Sequence, residues 1–328
     1  MTLFEASLKS VAGLACSALF VAAPVHSQAQ TWPSKPVLMV FGGGTGTPLE
    51  TAFRLVAAET TKTLGQPIIW ENRPGANGRL SVNALRSAPA DGYLLAMGTD
   101  AILISQPLSD PEFQFQPGRH YLPVAFMMEF PSVLAVQPSL GVKDMKGLLA
   151  YAKTNPGKLN IGGVAGGSGY FLAERFRQTA SIDVQLVPYK GSPQAMIDLV
   201  GGRIQMQFAP ASAKQFIEAG KLVGIATTGS QRWSAFPELP TLTEEGVPIT
   251  TTFWYGAIAP MGTPVDVVGK LNRSLLSAAT QADIRRRLDA DFGMTTGKHA
   301  SPEEFAAFIR SETTVWGPII KNAAVKLD

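Results

Sequence analysis

Val37-Leu38-Met39-Val40-Phe41 runs straight into Gly42-Gly43-Gly44-Thr45-Gly46-Thr47, and Pro48 then opens a stretch that ends at Gly65. The five apolar residues do not alternate with polar ones, which is the pattern of a strand covered on both faces. Between about Glu50 and Thr63 the period becomes helical, with Phe53, Val56, Ala57 and Thr60 on one face. Strand, glycine turn and helix in that order form the unit of an α/β lobe built on a largely parallel sheet.

The unit recurs along the chain. Pro67-Ile68-Ile69-Trp70 is a strand followed by the loop Asn72-Arg73-Pro74-Gly75-Ala76-Asn77-Gly78, and Leu94-Leu95-Ala96-Met97-Gly98 is a strand running into Thr99-Asp100. A second set begins after Pro131 with Val133-Leu134-Ala135-Val136 and includes Asn160-Ile161-Gly162-Gly163 and Val184-Gln185-Leu186-Val187. After Trp254 come helices with no sheet of their own. One carries the stripe Val267, Val268, Leu271 and Leu275, and the last opens on the capping box Ser301-Pro302-Glu303-Glu304. These late helices are expected to cover the first lobe, which requires two crossings, near residues 128–133 and 250–256. The 328 residues exceed the ~250–300 at which a single core stops growing. The expected organisation is α/β and two-lobed, with residues 30–130 plus 251–328 as lobe 1 and 131–250 as lobe 2. A hinge between two such lobes makes a ligand cleft.

Residues 1–29 read as a secretory signal: Lys9, an apolar stretch from Val11 to Ala23, then Pro24 and small residues suited to cleavage. The stretch is shorter than the ~20 residues needed to span a bilayer. Cys16, the sole cysteine, lies inside it, so the exported chain is expected to carry no thiol. A net charge of +3 without a basic cluster gives no footprint for nucleic acid.

Three glycine-containing connections join a strand to a helix, at Gly42–Pro48, Gly162–Gly169 and Lys190–Pro193. A helix start presents unpaired N–H groups and partial positive charge, and glycine lets a ligand approach the backbone. Thr45, Thr47 and Ser168 add hydroxyl donors. Any one such loop is ordinarily just a tight connection; three of them split across two lobes point to anion binding. Catalytic patterns are weak by comparison. His120 and His299, the histidines outside the signal, have no metal-ligand spacing, and Gly166-Gly167-Ser168-Gly169-Tyr170 lacks the final glycine of a nucleophile elbow. No phosphate-binding Gly-x-x-x-x-Gly-Lys-Ser/Thr occurs. No cofactor and no metal are expected.

Glu71-Asn72-Arg73-Pro74-Gly75-Ala76-Asn77-Gly78, Ala90-Asp91-Gly92-Tyr93, Val187-Pro188-Tyr189-Lys190-Gly191 and Ala259-Pro260-Met261-Gly262-Thr263-Pro264 occur in that order. With them the chain resembles the substrate-binding receptors of tripartite tricarboxylate transporters, the Bug family, from Trp32 to the last helix. The resemblance implies a periplasmic binding protein of the two-lobed, Venus-flytrap kind (type II-like). It would be a monomer that captures a small organic acid and delivers it to membrane subunits of the transporter. It also implies that the first strand–helix loop, the Asn-Arg-Pro-Gly loop and two loops of the second lobe face the ligand. The expected ligand-binding set is Gly44, Thr45, Gly46, Thr47, Asn77, Gly78, Thr99, Asp100, Gly166, Gly167, Ser168, Gly169, Tyr170, Lys190 and Ala209. The family pattern is broken at three places: Glu50 stands where an aspartate usually begins the first helix, Tyr170 and Phe171 replace two histidines, and Ala209 replaces an acidic residue. More aromatic surface and less charge favour a flat, apolar acid over an amino acid. A sensor subunit presenting ligand to a signalling system, and a hydrolase built on Ser168, are the alternative readings.

Overall fold

The computed structural model describes residues 32–75 and 78–323, so the N-terminal signal reading, Cys16 and Asn77 lie outside the described residues. In chain order the elements are β1 (Val37–Phe41), α1 (Pro48–Leu64), β2 (Ile68–Asn72), α2 (Arg79–Arg86), β3 (Leu94–Thr99), α3 (Gln106–Ser109), β4 (Tyr121–Phe130) and β5 (Val133–Val136). There follow α4 (Met145–Thr154), β6 (Leu159–Val164), α5 (Ser168–Thr179), β7 (Val184–Tyr189), α6 (Ser192–Val200), β8 (Met206–Ala209), α7 (Lys214–Glu218) and β9 (Val223–Thr227). The chain ends with β10 (Phe253–Pro260), α8 (Val265–Ala279), α9 (Ala282–Phe292) and α10 (Pro302–Asn322).

The described residues form two five-stranded sheets, ordered β2-β1-β3-β10-β4 and β7-β6-β8-β5-β9. Each is mixed rather than parallel throughout, because β10 runs antiparallel to both neighbours in the first sheet and β5 does so in the second. These are the first strands laid down after each crossing. A strand entering from the junction runs away from it, while the strands that end in site loops run toward it. Pro131-Ser132 alone separates β4 of the first sheet from β5 of the second. The return passes through residues 228–252. Side by side at the junction, Ser132 N–H donates to Thr228 Oγ1 (2.9 Å), Thr228 N–H to the Ser132 carbonyl (3.0 Å) and Thr251 N–H to the Thr228 carbonyl (2.8 Å). Ser132 and Thr228 are fully buried, so pairing spares them the penalty of an unmade hydrogen bond.

The first helix shows how the sequence specifies its own start. Thr47 Oγ1 accepts from Glu50 N–H at 3.2 Å, Pro48 occupies the first turn, and Gly65 closes the helix at φ 83°. Its buried face brings Phe53 onto Trp70, with ring centroids 4.7 Å apart, and Phe41 lies 5.1 Å from the same indole. At the other end of the chain, Ser301 caps α10 and Glu304 reaches back to the Ala300 N–H (2.7 Å). Phe305 then meets Trp254 edge-on at 5.6 Å. α10 does more than cover the first sheet: Trp316 lies under the Arg175 guanidinium of α5, at 5.4 Å, so the helix also reaches the second lobe.

Candidate functional site

The loop after β1 is held from below. Asn72 Nδ2 donates to the carbonyls of Gly43 and Gly44, both at 3.0 Å, while its Oδ1 accepts from Trp70 Nε1 at 2.9 Å. A Cβ on Gly42 would stand 2.3 Å from Gly78 Cα, so the first loop and the Asn-Arg-Pro-Gly loop pack backbone to backbone. Gly46 sits at φ 71°, a conformation that favours glycine. Its N–H donates to Glu50 Oε2 at 2.9 Å, and Arg54 clasps Glu50 Oε1 from Nε and Nη2 at 3.0 and 2.6 Å. The Arg54 guanidinium, and after it the Gly46 amide, hold this carboxyl below the usual range. The start of α1 therefore already carries a carboxylate of the chain itself.

A cavity of about 1080 Å³ is walled by strand ends of the first sheet and by helices and loops that flank the second. Its aromatic side is a strip of Phe41, Tyr255 and Phe130, the ends or near-ends of β1, β10 and β4. Phe130 stacks on Tyr255 at 5.9 Å, and Phe41 meets Tyr255 edge-on at 6.5 Å. Facing it are Ser192 and Pro193 at the start of α6, Pro210 and Ala211 after β8, and Met196, Lys214 and Phe216. α9 supplies Asp289, Asp291 and Phe292. Contacts that join the lobes include Ser105 Oγ and Ser168 Oγ, 3.3 Å apart, and Trp233 Nε1, which donates to the Gly293 carbonyl at 2.7 Å beside a Ser234–Asp289 hydrogen bond.

Of the expected ligand-binding residues, Gly46 and Thr47 border this cavity, with Gly44 and Thr45 exposed beside them. Gly78 is buried behind Gly42. Thr99, Asp100 and Ser168 lie off the cavity wall: Thr99 Oγ1 accepts from Ile102 N–H, Asp100 Oδ1 from Ala101 N–H, and the Ser168 hydroxyl bonds the Asp100 carboxyl across the lobes. Burial raises that carboxyl to about 7. Burial, with the Asp100 charge adding to it, also raises the Tyr255 hydroxyl. Gly166, Gly167 and Gly169 lie in the turn into α5, with Gly169 facing Phe253. Tyr170 packs partly buried against Phe171, edge-on at 5.9 Å, and Phe171 is wholly enclosed in the core. Lys190 is exposed and off the wall, and Ala209 is fully buried in β8, one residue before the lining begins. Tyr170 is not on the cavity wall, whose aromatic surface is the Phe41–Tyr255–Phe130 strip. That strip escaped the sequence reading because each ring, taken alone on its strand, reads as ordinary core. The one available signal was that Phe41 and Phe130 are the last apolar residues before a loop and a crossing.

Residues 52–325 match the family described as tripartite tricarboxylate transporter family receptor. The chain belongs to that family. It is similar to Protein BugT of Bordetella pertussis, 28% identical over 98% of both chains. It is similar as well to Rpa4515 of R. palustris with adipate, 30% identical with TM-score 0.80, covering 90% of this chain and 99% of that one. The third likeness is to MatC of Rhodopseudomonas palustris with bound malate, 29% identical with TM-score 0.76 over 88% and 99%. These receptors share the two-lobed α/β architecture described above. Among the described residues of this receptor-family chain, no helix is long and apolar enough to cross a membrane.

Proposed function

We propose that the chain is a monomeric periplasmic receptor that captures a small organic carboxylate between its lobes and hands it to the membrane subunits of a tripartite transporter. The observation that carries this reading is the cavity walled by residues of both lobes, on a receptor-family chain similar to two solved proteins that hold adipate and malate. At about 1080 Å³ it lies just above the ~300–1,000 Å³ of small-molecule sites, so a compact acid fits with room for closure. In this reading residues 1–29 direct export, residues 30–130 plus 251–328 form lobe 1 and residues 131–250 form lobe 2. Gly46 and Thr47 touch the ligand first, and the Ser168 and Asp100 loops work at the clasp between lobes. The protein performs no chemistry on its cargo. His120 is engaged with the Gln116 N–H and His299 is stacked on Phe308 at 4.5 Å, which leaves the Ser168 hydroxyl between Asp100 and Ser105 rather than beside an imidazole base.

The test is titration calorimetry with adipate, malate, hexanoate and benzoate, joined to small-angle scattering. Binding of at least one acid with a smaller radius of gyration is the expected result, since a ligand touched from both sides favours the closed state. No heat with any of the four would refute the reading.

A further inference from the structure

The cavity is unevenly charged. Among the described residues, Lys214 is the single basic side chain on its wall. Lys214 begins α7, and the one carboxylate paired with it, Glu218, stands 3.9 Å away with both groups well exposed. Such a pair is too long and too wet to neutralise the ammonium. On the other lobe α9 turns its C-terminal end toward the cavity and adds Asp289 and Asp291. The carbonyl end of a helix carries partial negative charge, so both features bias that rim the same way. Asp289 is held by Ser234, and Asp291 lies 3.8 Å from Arg287 with both side chains about half exposed. The first helix start, which would otherwise welcome an anion, is filled by Glu50 under Arg54. The same cavity wall carries the strip of Phe41, Tyr255 and Phe130.

We propose that the cavity selects monocarboxylic acids with an apolar body: Lys214 fixes the single carboxylate at the second-lobe wall, the body lies on the aromatic strip, and Asp289 with Asp291 turns away a second carboxylate. The proposal rests on reading this cavity as the ligand site. Its selectivity comes as much from the repulsive rim as from the attractive one. It sets this chain apart from the relatives solved with adipate and malate, both diacids.

Matched pairs of probes test it: hexanoate against adipate, and benzoate against terephthalate, by calorimetry at one ionic strength. The wild type should bind each monoacid at least about tenfold more tightly than its diacid, since a charge facing like charges loses affinity on that scale. Lys214→Met should weaken monoacid binding by about ten- to a hundredfold, the range for a hydrogen bond to a charged group, and Lys214→Arg should restore most of it. Asp291→Asn should narrow the gap between adipate and hexanoate. Circular dichroism and melting curves accompany each variant, all of them at exposed positions. Tighter diacid binding, or monoacid binding unmoved in folded Lys214→Met, would overturn the proposal while leaving the receptor reading intact. A wild type that binds none of the four probes would overturn both.

Discussion

Replacing Asp100 with Asn should change how the protein's stability depends on pH. Burial, reinforced by the charge of Glu312, raises this carboxyl from 3.8 to about 7, against the opposing pull of the Ser168 hydroxyl and the Ala101 N–H. Each tenfold change in proton affinity is worth ~1.4 kcal/mol, so the full rise corresponds to about 4 kcal/mol, and solvent at the half-buried edge lowers this to about 2–4 kcal/mol. In sign, the folded carboxyl holds its proton more firmly than the unfolded one. Below about pH 4 both states are protonated and the native state bears no cost. As the pH climbs to 7 the unfolded chain releases the proton first, so stability falls across that window and levels off above it. Asn copies the protonated form and keeps an oxygen for the Ala101 N–H. Urea unfolding of Asp100→Asn and wild type should therefore coincide near pH 4 and separate by pH 8, with the variant the more stable by about 2–4 kcal/mol. Parallel curves for the two proteins from pH 4 to 8 would show that Asp100 is solvated and ionised, and that its contact with Ser168 is not a buried one.

Two further outcomes follow from packing and hydrogen bonding. Asn72→Ala removes both bonds that pin the Gly43 and Gly44 carbonyls and orphans the Trp70 indole N–H. It should cost about 1–3 kcal/mol by chemical denaturation and weaken acid binding, because the first loop loses its support. Phe305→Ala empties the space between Trp254 and Phe126 at a fully buried position and should cost about 3–5 kcal/mol, read as a lower urea midpoint; a loss below 1 kcal/mol would mean the rings close over the gap.

The β1–loop–α1 unit was legible because every local signal agreed: an unbroken apolar strand, glycines, a Thr-x-x-Glu start and a glycine stop. The crossing at Pro131 was equally plain, because an apolar run ends and another begins within a few residues. The directions of β5 and β10 were not legible, since an apolar run looks the same read from either end and only pairing reveals its sense. α10 announced its face through Phe305, Ile309 and Trp316 but not what that face would meet, and it meets both lobes. At the site, helix starts and glycine loops were readable as local features. The aromatic strip and the opposition of Lys214 to Asp289 and Asp291 were not, because they join residues from β1, β4, α7, α9 and β10 that come together only through tertiary packing.

The paired chain segments at the junction have a mechanical consequence. Ser132, Thr228 and Thr251 stitch the outgoing and returning chains into a flat ribbon. A single linker would let one lobe swing, slide and spin against the other; a stitched ribbon bends easily across its width but resists torsion and shear. Such pairing favours bending over twisting or sliding when one lobe moves against the other. A lobe that bends about this ribbon would open the cleft most at the side furthest from it.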